Sequence, residues 1–275
     1  HPFEIKNLSL INEIKNMEVA DIILSVSDND KRIILSFIEK DVYVIGANEE
    51  INTKNRTPWE ERDGILFVGG LDSLPNHDSI VNYIENILPH LDKKLNTFII
   101  GNYDRYFDIY GDIPNLHFLE NQSEESKEYF YNACKIFITP TRYASGLSTK
   151  SVESMSYGLP VVCTDLICEQ SGFSHNINVL SSNNNQDFID NINKLNSDKF
   201  LWGKLQKNAY DYVLKKHSIE HSRSIFLNIL NINNKSKRKE KKSIVTLCTK
   251  EYVEMFEKLE PHMKEYAHKI GVDFN

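Results

Sequence analysis

The chain has few cysteines, no long apolar run and no excess of positive charge, and each shortage argues against a class of function. Only four of its 275 residues are cysteine. Cys134, Cys163, Cys168 and Cys248 show neither zinc-site spacing nor a disulfide framework, which favours a reduced, cytoplasmic setting over a secreted one. No stretch approaches the roughly 18–20 apolar residues a membrane helix needs, so no transmembrane segment is expected. Acidic side chains outnumber basic ones by 39 to 32, for a net charge of −7. A dedicated nucleic-acid binder draws its affinity from neutralising phosphates, so no nucleic-acid partner is expected. What remains is ordinary for a globular protein: 40% hydrophobic and 26% charged residues, enough for one large domain with flanking pieces. The chain starts at His1-Pro2, a start compatible with a leader or a whole domain upstream.

Strands and helices alternate through the middle, which predicts an α/β fold with a Rossmann-like, doubly wound parallel sheet. Ile65 to Val68 is a short apolar run ended by Gly69-Gly70, a buried strand feeding a tight turn. Ile80, Val81, Ile84, Ile87, Leu88 and Leu91 then recur at helical spacing, with Asn76 or Asp78 as the expected cap. Phe98 to Gly101 and Leu116 to Leu119 read as further strands, and Ser123 as the cap of a helix running to Lys135. Ile136 to Ile138 reads as a central strand, and Asn178 to Leu180 closes the sheet pattern. Two helices, about Asn185 to Leu195 and Lys199 to Lys216, follow. Asn52 to Arg62 reads as a polar linker. The resulting division is 1–61 as a flanking piece with linker, 62–232 as the Rossmann-like domain, 233–242 as a basic linker and 243–275 as the start of a further, truncated module. In that last piece Ser243 to Cys248 reads as a strand and Tyr252 to Ile270 as an amphipathic helix. Lys235 to Lys242 is a charge run whose ordinary reading is a solvated linker, with a localisation or lipid-surface patch as the alternative.

The most informative stretch is Pro140 to Val162, PTRYASGLSTKSVESMSYGLPVV. A strand ends, the chain turns through Ser145-Gly146, and a short helix carries Glu153 before Gly158-Leu159-Pro160 breaks it. A glycine turn feeding a helix start just past a strand end offers backbone N–H groups to an anion. The helix dipole adds to this, and Arg142 and Lys150 bring two cations to the same place. The amides of Gly146, Leu147, Ser148 and Thr149 are the candidate diphosphate ligands. Glu153, one turn along, is a carboxylate suited to sugar hydroxyls. Phosphate at the helix start and ribose one turn on define a nucleotide site.

The same residues carry a resemblance. P-x-R-Y-x-x-G-x-x-x-K-x-x-E-x-M-x-x-G-x-P-V-V is similar to the donor-site segment of retaining family 4 glycosyltransferases of GT-B fold. Ile65 to Asp72, followed by Pro75 to Asp78, resembles the strand and glycine loop that open that family's C-terminal, donor-binding domain. The resemblance runs from about Glu18 to Leu230. It implies transfer of a hexose from a nucleoside diphosphate sugar to a hydroxyl of a glycan, lipid or protein acceptor, with retention. It also implies no cofactor and no metal, a cytoplasmic location that extends to the membrane surface, and a role in polysaccharide or glycan synthesis. By the same resemblance Glu153 holds the donor ribose, and Val19 to Ser27 with Asp41 to Ala47 are the last strands of an N-terminal, acceptor-binding domain whose remainder is missing. On that reading residues 1–275 are inactive by themselves. Phe118 and Leu119 would lie near the base, and Glu169 beside the donor sugar. Two departures stand out. Gly70 occupies the position of a diphosphate-clamping Arg, with no Lys after it, and Ser145 stands eight residues before Glu153 where the family has its first paired glutamate. No catalytic residue is assigned.

Each site residue also has a plain structural reading. Glu153 could simply pair with Lys150 on a helix surface; Gly146, Gly69 and Gly70 could be turn residues. Asp28-Asn29-Asp30 matches a D-x-D metal pattern, but its place before a helix favours capping. His217 and His221 match an inverted zincin spacing without a third ligand. His77 and His117 are lone loop histidines. Two rival functions remain, a nucleotide-sugar epimerase of the same architecture and a degenerate transferase half that only binds or assembles.

Overall fold

The computed structural model describes residues 2–51, 56–103, 105–143, 146–235 and 244–246. In chain order the elements are α1 (Pro2–Val19), β1 (Ile22–Ser25), α2 (Asp28–Leu35), β2 (Val42–Val44), β3 (Ile65–Val68), α3 (Leu74–Asn86), β4 (Thr97–Ile100), β5 (Leu116–Leu119), α4 (Glu124–Ala133), β6 (Ile136–Thr139), α5 (Thr149–Ser156), β7 (Val161–Thr164), α6 (Asp165–Gln170), β8 (Val179–Ser182), α7 (Asn185–Ser197), α8 (Lys199–Lys216), α9 (Ile219–Lys235) and β9 (Ile244–Thr246). They form two compact units, one of residues up to Asn48 with those from Lys216 onward, the other of Glu49–Lys215.

The first unit has a parallel sheet in the order β2-β1-β9. Successive residues of β1 point to opposite faces. Ile23 therefore packs with Met17, Ile34, Ile38 and Val42, while Ile22 and Leu24 meet Ile45 and Ile229. Ile229 lies on α9, which the sequence pattern assigns to the 62–232 domain. The apolar side of α9 instead covers β1, so the units divide at Lys215/Lys216 and Asn48/Glu49 rather than near residues 232 and 61. The strand expected over Ser243 to Cys248 is present as Ile244–Thr246, hydrogen-bonded in parallel to β1. Ser236 to Lys242 and the helix expected from Tyr252 lie outside the described residues. Asp28 and Asp30 are first-turn acids of α2, and the Asp30 amide donates to Ser27 Oγ at 3.0 Å, so the D-x-D pattern is a helix start.

In the second unit six parallel strands run in the order β5-β4-β3-β6-β7-β8. The chain moves outward from β3 through β4 to β5, then returns beside β3 and proceeds through β6, β7 and β8. Strand order thus reverses between β3 and β6, and the crevice at the carboxyl ends of those two strands is where an open α/β sheet binds its ligand. Ile65, Ile99, Ile136, Ile138, Val162 and Leu180 join side chains of α3, α7 and α8 in one core. The cap of α3 differs from expectation. The helix starts at Leu74 after Ser73, with Pro75 in its first turn, because proline pre-sets the helical φ and needs no donor there. Asn76 and Asp78 sit inside the helix. The apolar pattern to Leu91 is interrupted too: α3 stops at Asn86 and Leu88–His90 form a 3-10 turn, since Pro89 cannot continue an α-helix.

Arg62, expected in a polar linker, is 1% exposed. Its Nε donates to Thr57 O at 2.9 Å, its Nη1 to Tyr131 O and Cys134 O at 2.9 Å each, and its Nη2 to Tyr157 O at 3.4 Å. The last three carbonyls close the ends of α4 and α5, where unpaired acceptors gather and cations are favoured. The Trp202 ring lies 5.5 Å from the guanidinium carbon, a cation–π contact. Burial brings the Arg62 pKa down to about 10, which still leaves it charged at neutral pH.

These packings are open to test. Arg62→Met would strand several buried carbonyls at about 1–3 kcal/mol each; unfolding should lose about 3 kcal/mol, or roughly 6–10 °C in Tm by calorimetry. In the first unit, His217 is 2% exposed and its Nδ1 accepts from the Ala47 amide at 3.2 Å. Burial, helped by His221 and Lys216, lowers its pKa to about 4. An unfolded histidine titrates near 6.5, so the stability held by the neutral ring is full above that pH and is lost as pH falls towards 4. By linkage the loss at pH 5 is about 2 kcal/mol. Denaturant titrations at pH 7.5 and 5 should show that difference, and His217→Gln should flatten it.

Candidate functional site

β6 is buried throughout and delivers the chain to the crevice at Pro140. A chain of hydroxyls pins the next helix to it. Thr139 Oγ1 and Ser151 Oγ are 2.8 Å apart, as are Ser151 Oγ and Ser148 Oγ. Gly146 adopts φ 84°, a left-handed turn that suits glycine, and Leu147, 5% exposed, anchors the turn in the core. Ser148 is the N-cap of α5. Thr149 and Lys150 follow in its first turn. The Ser148 amide differs from the expectation of an open phosphate ligand, because it donates to Ser171 Oγ at 3.0 Å. Residues 144 and 145, and with them the Ser145 departure, lie outside the described residues.

Both expected cations carry partners. Arg142 donates through Nε to Asp78 Oδ2 at 2.9 Å and through Nη2 to Asp78 Oδ1 at 2.5 Å. Tyr143 OH donates to Leu74 O at 2.9 Å, so consecutive residues of the β6 loop are tied to α3. Lys150 Nζ donates to Glu153 Oε2 at 2.8 Å, the helix-surface pair of the plainer reading. The Glu153 side chain is 19% exposed and stands by an aromatic pair that sequence reasoning missed. Tyr131 and Tyr157 stack with centroids 4.9 Å apart and planes at 9°. Burial first, and the Glu153 charge after it, push the Tyr131 hydroxyl well above its ordinary pKa. Burial and the nearby carboxylates Glu128 and Glu153 push Tyr157 up to about 12. Both tyrosines are therefore neutral walls beside the carboxylate.

Across the crevice, Gly69 N donates to Ile100 O at 2.9 Å and Leu71 N to Asn102 O at 2.7 Å. Asn76 Nδ2 reaches back to Gly70 O at 2.9 Å. The loop after β4 packs so closely here that a Cβ on Gly101 would sit 2.2 Å from Gly69 O. Phe118 and Leu119 lie on β5, the edge strand two places from β3, with Phe118 against Tyr103 at 5.1 Å. Glu169 is exposed on α6, whose following residue but one, Ser171, touches the α5 start. The topology therefore puts Gly69 and Gly70 after β3, and Arg142, Gly146 to Lys150 and Glu153 after the neighbouring strand β6, with Glu169 on α6 after β7 and Phe118 and Leu119 on the edge strand β5. His117 is structural: Nε2 lies 3.0 Å from Asn96 Oδ1 and the ring stacks on Phe98. Among the described residues no group of three or more His, Cys, Asp or Glu side chains could hold a metal, and no helix is long and apolar enough to cross a membrane.

Residues 62–198 match the family model described as glycosyl transferases group 1, a segment that lies wholly within the second unit. No curated protein matches the chain. Among solved structures, a TarM variant from S. aureus, in complex with fondaparinux, α-GlcNAc-glycerol and UDP, superposes with TM-score 0.65 at 18% identity over 79% of this chain and 45% of its own. HepE from Anabaena in complex with UDP-glucose gives 0.61 at 14% identity over 77% of this chain and 64% of its own. A glycosyltransferase from Rickettsia africae gives 0.63 at 18% identity over 78% and 64%. The chain thus spans from under half to under two thirds of these structures, and the fold it shares with them is the Rossmann-like α/β architecture of GT-B glycosyltransferases.

The close approach at Gly101 generates a test of the loop geometry. Gly101→Ala places a methyl against the Gly69 carbonyl and must push the β3 loop away. Stability should fall by about 1–3 kcal/mol, read by thermal unfolding. Amide chemical shifts of Gly69 and Gly70 should move more than those of β7 and β8.

Proposed function

We propose that this chain carries the donor-binding half of a retaining GT-B glycosyltransferase. Such an enzyme transfers a hexose from a nucleoside diphosphate sugar to a hydroxyl of a glycan, lipid or protein. The observation that carries this reading is the gathering of Arg142, the Gly146-to-Lys150 helix start and Glu153 at the point where strand order reverses. Support comes from the group 1 family match over 62–198 and from similar structures that hold UDP or UDP-glucose.

In this reading Glu153 accepts hydrogen bonds from the ribose hydroxyls. The α5 amides, Arg142 and Lys150 take the diphosphate as it leaves, so no metal is needed to neutralise it. The Lys150–Glu153 pair does not prevent this. An ammonium has three donors, and Lys150 can keep Glu153 while donating to a phosphate oxygen. The leaving charge falls more heavily on these groups because Gly70 stands where the family has a clamping arginine. In this reading the acceptor side and turnover itself belong to a separate, acceptor-binding domain. Gly70 also favours a second reading, a transferase half that binds nucleotide without chemistry.

Calorimetric titration of residues 1–275 with UDP, GDP and ADP, each with and without magnesium, tests the site. One nucleotide should bind independently of metal, and Glu153→Ala should weaken it at least about tenfold, since a hydrogen bond to a charged group contributes about 1.5–3 kcal/mol. Donor hydrolysis or transfer should be undetectable without the acceptor-binding domain; turnover by residues 1–275 would contradict that assignment. Failure of all three nucleotides to bind would sink the donor-site reading.

A further inference from the structure

We propose that Asp78 is a positioning residue of this site: it grips the Arg142 guanidinium by one edge and thereby presents the rest of that group to the donor diphosphate. The inference rests on the donor-site reading above. Asp78 lies in the second turn of α3, on the β3 side of the crevice, and Arg142 follows the end of β6 on the other side. The two carboxylate oxygens take one bond each, from Nε at 2.9 Å and Nη2 at 2.5 Å. This is the planar two-point contact that fixes a guanidinium in orientation as well as in place. No hydrogen bond from Nη1 is found among the described residues, so the edge turned from Asp78 keeps its donors. The Tyr143 hydroxyl, bonded to Leu74 O at 2.9 Å, adds a second tie between the same loop and the same helix.

The pair is open to water, with side-chain exposures of 52% for Arg142 and 27% for Asp78. A surface ion pair of that kind contributes little to stability; its consequence is geometric. A free arginine must surrender most of its rotamers on meeting a phosphate, whereas Arg142 has already done so. Two roles for Asp78 would share this ion pair and differ in sign. If Asp78 positions Arg142, removing its charge weakens diphosphate binding. If Asp78 competes with phosphate for Arg142, removing its charge tightens it.

The experiment is calorimetry on the 275-residue chain with UDP, GDP and ADP and with the matching nucleosides. Asp78→Asn should weaken the bound diphosphate about three- to tenfold, the cost of ordering one such side chain. It should leave nucleoside affinity unchanged and have no further effect in an Arg142→Gln background, while Asp78→Glu should recover part of the loss. Equal or tighter diphosphate binding by Asp78→Asn would overturn the proposal, as would parallel loss of diphosphate and nucleoside binding, which marks a merely structural role. Binding in the wild type that Glu153→Ala weakens, together with an indifferent Asp78→Asn, would leave the donor site standing and remove Asp78 from it. Absence of nucleotide binding in the wild type would overturn both.

Discussion

The guanidinium of Arg62 is the contact on which the second unit turns. It is enclosed by protein and hydrogen-bonds to carbonyls at Thr57, Tyr131, Cys134 and Tyr157. Two of these close α4 just before β6 begins, and one closes α5 just before β7 begins. A buried cation without its acceptors is costly, and so are buried acceptors without a donor. The arrangement therefore admits little variation in where the two helices end. What lies between those ends is β6, the Pro140-to-Ser148 loop and α5, which is the candidate site. Precision at the crevice is set from the opposite end of the sheet.

The crevice itself follows from strand order. With β3 and β6 adjacent and the chain running outward from each, the loops after them diverge and leave a gap flanked by two helix starts, α3 and α5. The charges in that gap are held. Arg142 is engaged by Asp78 and Lys150 by Glu153, and the carboxylate of Glu153 is backed by two tyrosines kept neutral by burial. A crevice whose charges are paired carries less net positive potential than its two cations would suggest, and relies more on direction. Backbone amides, a helix dipole and a gripped guanidinium are all directional devices, which suits the proposed reading of a donor site.

How much of this is legible depends on how far apart the interacting residues stand in the chain. β3 and β6 can be read because each is a short apolar run bounded by glycine, proline or polar residues, and burial of all four residues leaves no alternation to misread. The β6–α5 segment can be read because its turn, helix start and carboxylate lie within 14 residues of sequence, from Pro140 to Glu153. Asp78 reads as a cap because an acid before an apolar helical pattern is ordinarily one; its partner lies 64 residues on. Arg62 reads as linker for the same reason: its acceptors at Tyr131, Cys134 and Tyr157 are 69, 72 and 95 residues away. A lone arginine beside acidic residues carries no local sign that it will be buried.

The amino-acid sequence alone determined the alternation of strand and helix, the doubly wound class and the helix start carrying Gly146, Lys150 and Glu153, because these rest on periodicity, turn chemistry and near neighbours. Tertiary structure decided the rest. It fixed which strands meet, which unit α9 packs into, that Ser171 takes the Ser148 amide, and that Arg142 is held by Asp78. The physical reason is common to all four. Each depends on one residue satisfying the hydrogen bond, charge or apolar surface of another far along the chain, and that pairing exists only once the fold has brought the two together.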